Sequence, residues 1–135
     1  MPHYRFPARF EYLDEIRSRV AETARAAGFG EKSVYAVQLA ADEAASNIIE
    51  HAYAGEPNGW FEMSCEVTGD RLVVTFTDRG KSFDFSKVRK PDVKADLSER
   101  KIGGLGVYLM HKLMDEVDYR STKSENILTL TKRKP

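Results

Sequence analysis

Glu43 and Asn47 lie four residues apart in a stretch whose apolar positions repeat as in a helix, so their side chains project from neighbouring turns of one face. A carboxylate placed there can take a proton from a water or hydroxyl nucleophile, and the amide oxygen beside it is a hard ligand suited to Mg²⁺. The same pair also reads as a plain solvated helix face. His51 follows one turn later on that side, but no second ligand stands at metal-binding spacing, so it is read as structural. Asp78-Arg79-Gly80 ends a run of alternating apolar residues. A carboxylate at a strand end can accept a hydrogen bond from an exocyclic amine, and a glycine beside it lets a flat ring approach the backbone; a strand running into a turn looks the same. Gly103-Gly104-Leu105-Gly106 opens a third helical pattern, where free backbone N–H groups and the helix dipole can cradle phosphate. It lacks the Lys-Ser/Thr of a Walker A loop and follows no strand as a Rossmann fingerprint would, and by itself it is equally a hinge that allows close helix packing.

The elements that must hold these residues follow from periodicity. Leu13, Ile16, Val20, Ala24 and Ala27 predict a helix over Glu11 to Ala27 with its stop at Gly28. A second helix is predicted from about Lys32 to Tyr53, with Val34, Val37, Ala41, Ala45, Ile48 and Ala52 as its core stripe. Glu43, Asn47 and Glu50 fall on the opposite face, but Ala36, Leu39 and Ala40 lie on that side too. Something must therefore cover part of it, leaving Glu43 only partly solvated. Phe61, Met63, Cys65 and Val67, then Leu72, Val74 and Phe76, alternate on either side of Gly69-Asp70, which predicts a two-residue hairpin. Its register sets Val67 opposite Leu72, Cys65 opposite Val74, Met63 opposite Phe76 and Phe61 opposite Asp78, so Asp78 faces inward at a strand end. Pro2 and Pro7 confine a strand over His3–Phe10 to a sheet edge. The third helix, running to about Met114, is apolar on two faces (Leu105, Leu109, Leu113 and Val107, Met110, Met114) and is expected to be well buried. Strands at about Glu116–Ser121 and Asn126–Lys132 complete the sheet. Between Asp84 and Lys101 the chain is rich in charge, is interrupted by Pro91 and has no apolar period, as suits a lid, a binding loop or a disordered segment; a lid over the site is expected. The fold class is α+β: a two-layer sandwich whose mainly antiparallel or mixed sheet is covered on one face by helices.

Length and composition narrow the functions this frame can serve. The 135 residues, 41% apolar and 31% charged, are expected to form a single domain over 1–135. Lys+Arg and Asp+Glu balance at 21 each, so no net field draws the chain to nucleic acid, and no direct nucleic-acid role is expected. Cys65 is the only cysteine, which removes an internal disulfide. No run is long and apolar enough for a membrane span and Met1–Phe10 lacks a signal core, so a cytoplasmic protein without membrane association is expected.

The order of the three motifs says more than any one of them. Acid and amide on a helix, Asp-x-Gly after a strand, a long charged loop and a glycine-rich helix start together resemble the Bergerat (GHKL) ATP-binding fold of gyrase, heat-shock chaperone, histidine kinase and mismatch-repair ATPases. The branch most resembled is the anti-sigma-factor serine/threonine kinases. Asp42-Glu43-Ala44-Ala45-Ser46-Asn47-Ile48-Ile49-Glu50-His51-Ala52-Tyr53 looks like that branch's helix motif, and Asp78-Arg79-Gly80-Lys81-Ser82-Phe83-Asp84 like its adenine-side motif. Gly103-Gly104-Leu105-Gly106-Val107-Tyr108-Leu109 with Met114-Asp115-Glu116-Val117 looks like its last box, so the likeness spans nearly the whole chain. It implies Glu43 as general base, Asn47 as Mg²⁺ ligand, Asp78 as acceptor for the adenine amine, Gly80 as the residue that gives adenine room, and Gly104 and Gly106 as phosphate binders. Thr129 matches a family position near the adenine-bound Asp78. Ser82 departs from the wider superfamily, which has a second glycine there. Arg100 lies near a phosphate-binding arginine of some relatives, at a different distance from the glycines, so that role is open between Arg100, Lys101 and neither.

The resemblance thus implies a Mg²⁺- and ATP-dependent kinase that phosphorylates a serine or threonine of a small anti-anti-sigma (STAS) partner. It brings in a sigma factor as competing partner and admits a homodimer. Two other readings stand beside it: a nucleotide-dependent module that binds a partner without phosphotransfer, and a scaffold domain without nucleotide. ATP binding separates the first two from the third, and phosphate on a partner separates the first from the second.

Overall fold

The computed structural model describes residues 3–54, 56, 58–82 and 104–135. Its sheet is organised by the Gly69-Asp70 turn, where Gly69 takes a φ of 61° that a residue with a Cβ adopts only at a cost. This turn joins β2 (Trp60–Thr68) to β3 (Arg71–Asp78), and all four side-chain pairings expected from the alternation are present, Phe61 opposite Asp78 included. The inward alternation stops at Cys65, because Val67 near the hairpin tip is exposed. β1 (His3–Pro7) pairs with β2 at one edge, where the missing N–H of Pro7 interrupts no inner ladder. β5 (Asn126–Arg133) lies on the other side of β3, with β4 (Glu116–Ser121) beyond it. The order is β1-β2-β3-β5-β4, and every pairing is antiparallel.

One face of this sheet carries the core. Phe6, Phe61 and Phe76 pack side by side across three strands, with ring centroids 5.8 and 6.3 Å apart. A single 3₁₀ turn, Phe10–Tyr12, leads into α1 (Leu13–Ala26), which buries Ile16, Val20, Ala21 and Ala24. Gly28, at a φ of 87°, ends this helix. Its N–H bonds the Arg25 carbonyl and that of Phe29 bonds the Ala24 carbonyl, so two carbonyls left over at the helix end are satisfied.

α2 (Glu31–Asn47) lies between α1 and α3 (Gly104–Leu113). Its expected stripe of Val34, Val37, Ala41 and Ala45 is buried, and so are Ala36 and Ala40 on the side that required a cover. α3 supplies that cover. The expectation for α3 itself needs a correction of degree: Val107, Met110 and Met114 are buried, but Leu109 and Leu113 are only half so, with Leu113 still packed against the core. A second correction concerns the end of α2. Instead of continuing regularly to Tyr53, the chain widens into a π-helical turn, Ile48–Ala52. The extra residue in that turn lets Ile48 and Ile49 both enter the core, and a simple 3.6-residue repeat does not register it.

Candidate functional site

The first half of the site is the line where α2 and α3 touch. A Cβ placed on Gly106 would sit 2.6 Å from Glu43 Oε2 and 3.7 Å from Asn47 Nδ2. Glycine at 106 therefore lets the first turn of α3 come down onto the acid and amide of α2. Glu43 is half-buried and has no hydrogen bond or ion pair among the described residues. Burial first, then the carboxylates of Asp42 and Glu50, push its pKa up. Asp42 is itself held by Arg17 of α1, at 2.5 Å, and the Arg17 carbonyl accepts a bond from Gln38 Nε2. Asn47 Nδ2 is buried without a hydrogen-bond partner among the described residues, a costly state for an amide that no ligand meets.

The second half lies about one turn further along the same helix. Lys81 N–H donates to the Ala52 carbonyl at 2.7 Å, tying the turn after β3 to the π-helical end of α2. Gly80 shows how tightly: a Cβ there would lie 2.2 Å from the Ala52 oxygen and 2.5 Å from its carbon. The close approach that Gly80 permits in this structure is thus to the backbone of the helix end. Because backbone atoms cannot swing aside, Gly80→Ala is expected to destabilise the fold by about 1–3 kcal/mol, read as a lowered thermal midpoint. Tyr53 braces the same junction. Its hydroxyl donates to the Trp60 carbonyl at 2.5 Å and accepts from the Arg79 N–H at 3.0 Å, with its ring against Gly59.

Asp78 faces inward as the register requires and is 5% exposed. Its Oδ1 accepts the Gly80 N–H at 2.9 Å and Asn126 Nδ2 at 2.8 Å. Burial pushes its pKa up, while those two donors and the Arg79 charge pull it back. Arg79 itself turns away, stacking at 4.4 Å on the Trp60 ring that Arg5 covers at 3.5 Å.

Thr129 does not belong to this group. It pairs with Thr75 on one side and Asp118 on the other, one position off the alternation that turns Leu128, Leu130 and Asn126 inward, so its side chain is on the far face of the sheet. The β5 residue opposite Asp78 is Asn126, three positions earlier. The sequence held one signal for it, a polar residue at the start of a predicted strand on the parity of Leu128 and Leu130; its place opposite Asp78 comes only from the β3–β5 pairing. Tyr53 was legible only as the last residue of the helix motif. Arg100, Lys101, Gly103 and the expected lid over Asp84–Lys101 lie outside the described residues, and Gly104 is described only as the first residue of α3.

Helices on one face of an antiparallel sheet, with acid, amide, inward aspartate and glycine gathered along one helix, define a class. Residues 6–132 match the histidine kinase-like ATPase domain, and the chain belongs to that family. Within it, the chain is 38% identical over 118 residues to the serine-protein kinase RsbW of Bacillus subtilis, spanning 82% of this chain and 72% of that protein. Solved structures share the fold at lower identity. In the SiaB–SiaC complex of Pseudomonas aeruginosa the matched chain has a TM-score of 0.69 at 16% identity, over 97% of this chain and 88% of that one. The RsbU and RsbW domains of Rv1364c from Mycobacterium tuberculosis give 0.66 at 17%, over 98% of this chain and 32% of that one. No helix among the described residues is long and apolar enough to cross a membrane.

Proposed function

We propose that this chain is a cytoplasmic, Mg²⁺- and ATP-dependent serine/threonine protein kinase whose substrate is a hydroxyl on a small anti-anti-sigma (STAS) protein, with a sigma factor as the competing partner. The observation that carries this reading is Glu43 of α2: a half-buried carboxylate, pKa raised, with no cation or donor engaged among the described residues, against which the glycine-led start of α3 packs. A carboxylate serving structure is ordinarily paired, whereas one serving as a base must be free to accept a proton near neutral pH.

ATP, when bound, supplies the phosphoryl group, with Mg²⁺ offsetting its charge. The residues present fit both. Asn47 offers an amide oxygen as a hard ligand, and its Nδ2, buried without a hydrogen-bond partner among the described residues, is a donor suited to a phosphate oxygen. Glu43 takes the proton of the attacking serine or threonine hydroxyl as the oxygen–phosphorus bond forms and the bond to ADP breaks. Asp78 accepts from the adenine amine and orients the base. Backbone N–H groups of the first turn of α3, from Gly104 to Gly106, would hold the phosphates.

Incubation with labelled ATP, Mg²⁺ and the STAS proteins of the same genome tests the reading, with label expected on one of them. Asn47→Ala is expected to weaken Mg²⁺-dependent ATP binding and phosphate transfer together, since it removes a ligand of the ion rather than the base. Partner binding that needs ATP but never yields phosphate would make the chain a nucleotide-dependent binding module instead.

A further inference from the structure

Ser121, Asn126 and Asp78 form one row across β4, β5 and β3, each directly opposite the next. Asn126 is 3% exposed, and every polar function of its side chain is used. Its Oδ1 accepts from Ser121 Oγ at 2.8 Å, and its Nδ2 donates to Asp78 Oδ1 at 2.8 Å and to the Gly80 carbonyl at 2.9 Å. The amide has one workable orientation, because a flip would set its oxygen against a carboxylate and a carbonyl. Asp78 Oδ1 is thereby saturated by Asn126 and Gly80, and Oδ2 has no hydrogen bond among the described residues.

We propose that Asn126, locked by Ser121, is the positioning residue that keeps Asp78 a pure acceptor toward the nucleobase and so selects adenine over guanine. The proposal rests on the reading of Asp78 as the adenine acceptor. An ionised carboxylate can only accept, which suits the exocyclic amine of adenine and repels the carbonyl oxygen that guanine carries at the same place. A protonated one can donate to that oxygen, and the discrimination is lost. Burial favours the protonated form, and Asn126 is foremost among the groups that oppose it; the Gly80 N–H and Arg79 act with it, and the Tyr53 hydroxyl is the other titratable group facing the carboxylate.

Calorimetric titration of the full chain with Mg-ATP and with Mg-GTP, from neutral to mildly acidic pH, reads this directly. Asn126→Asp keeps the shape and the Ser121 bond but replaces the donor by a second carboxylate, so the pair shares a proton. Its preference for ATP over GTP is expected to fall about tenfold or more, and the pH at which ATP affinity declines on acidification is expected to rise. Ser121→Ala, at an exposed position whose loss the fold tolerates, is expected to shift both in the same direction by a smaller factor. A merely structural role would lower melting temperature without moving either readout. If both variants fold and keep the wild-type preference and pH profile while Asp78→Asn weakens ATP binding, the proposal is wrong and the reading of Asp78 survives. If Asp78→Asn leaves ATP affinity unchanged, the reading of Asp78 fails and the proposal falls with it.

Discussion

Replacing Glu43 by alanine is expected to lower phosphate transfer by roughly 10²–10⁴-fold while ATP binds nearly as in the wild type. In the proposed role Glu43 meets the hydroxyl of the protein substrate and not the nucleotide, so its loss is expected to be felt in the transition state. Stability is expected to hold, because a half-buried carboxylate without a partner among the described residues contributes little to the fold that alanine would forfeit. The pH profile supplies a second check. A base works only when ionised, and burial with the neighbouring charges of Asp42 and Glu50 raises the pKa of Glu43. Transfer should therefore decline on acidification at a pH above the ordinary glutamate range, and Glu43→Ala should lose that limb. Single-turnover rates against pH measure it. A variant that transfers phosphate as fast as wild type would remove Glu43 from the chemistry.

Asp78→Asn is expected to cost about tenfold or more in ATP affinity, the scale of a hydrogen bond to a charged group. The geometry makes this a clean substitution. The oxygen of an asparagine at this position can keep both bonds now made by Asp78 Oδ1, to the Gly80 N–H and to Asn126 Nδ2. Its NH₂ then takes the place of Oδ2 and, on the proposed reading of Asp78, would meet the adenine amine donor to donor. Melting should not fall, since a buried charge is exchanged for a neutral group of the same shape. Calorimetry and thermal melts on one preparation separate the two effects, and undiminished ATP affinity in a folded variant would take Asp78 out of the nucleotide site.

Much of the frame behind these expectations was legible in local pattern. Alternation across Gly69-Asp70 predicted the hairpin register down to Phe61 opposite Asp78, and the structure has that register. The alanines beside Glu43 predicted a cover on its helix face, and α3 provides one. Both inferences rest on periods of 2 and 3.6 residues, which a backbone imposes on any sequence whose side chains must sort between core and solvent.

Other features had no such period to reveal them. The π-helical turn at Ile48–Ala52 adds a residue where the helical repeat still looks unbroken, and it shapes the helix end against which Gly80 packs. Thr129 resembled the residue that should stand by Asp78, yet the pairing of β5 with β3, which no local pattern sets, puts Asn126 there instead. Order, register and the inward acid are consequences of neighbours along the chain, so the amino-acid sequence alone could specify them. The partner of that acid, 48 residues away on β5, and the descent of Gly106 onto Glu43 depend on how distant segments pack. Such contacts leave no periodic trace in either segment, because each forms only when the sheet and the helical layer close on each other.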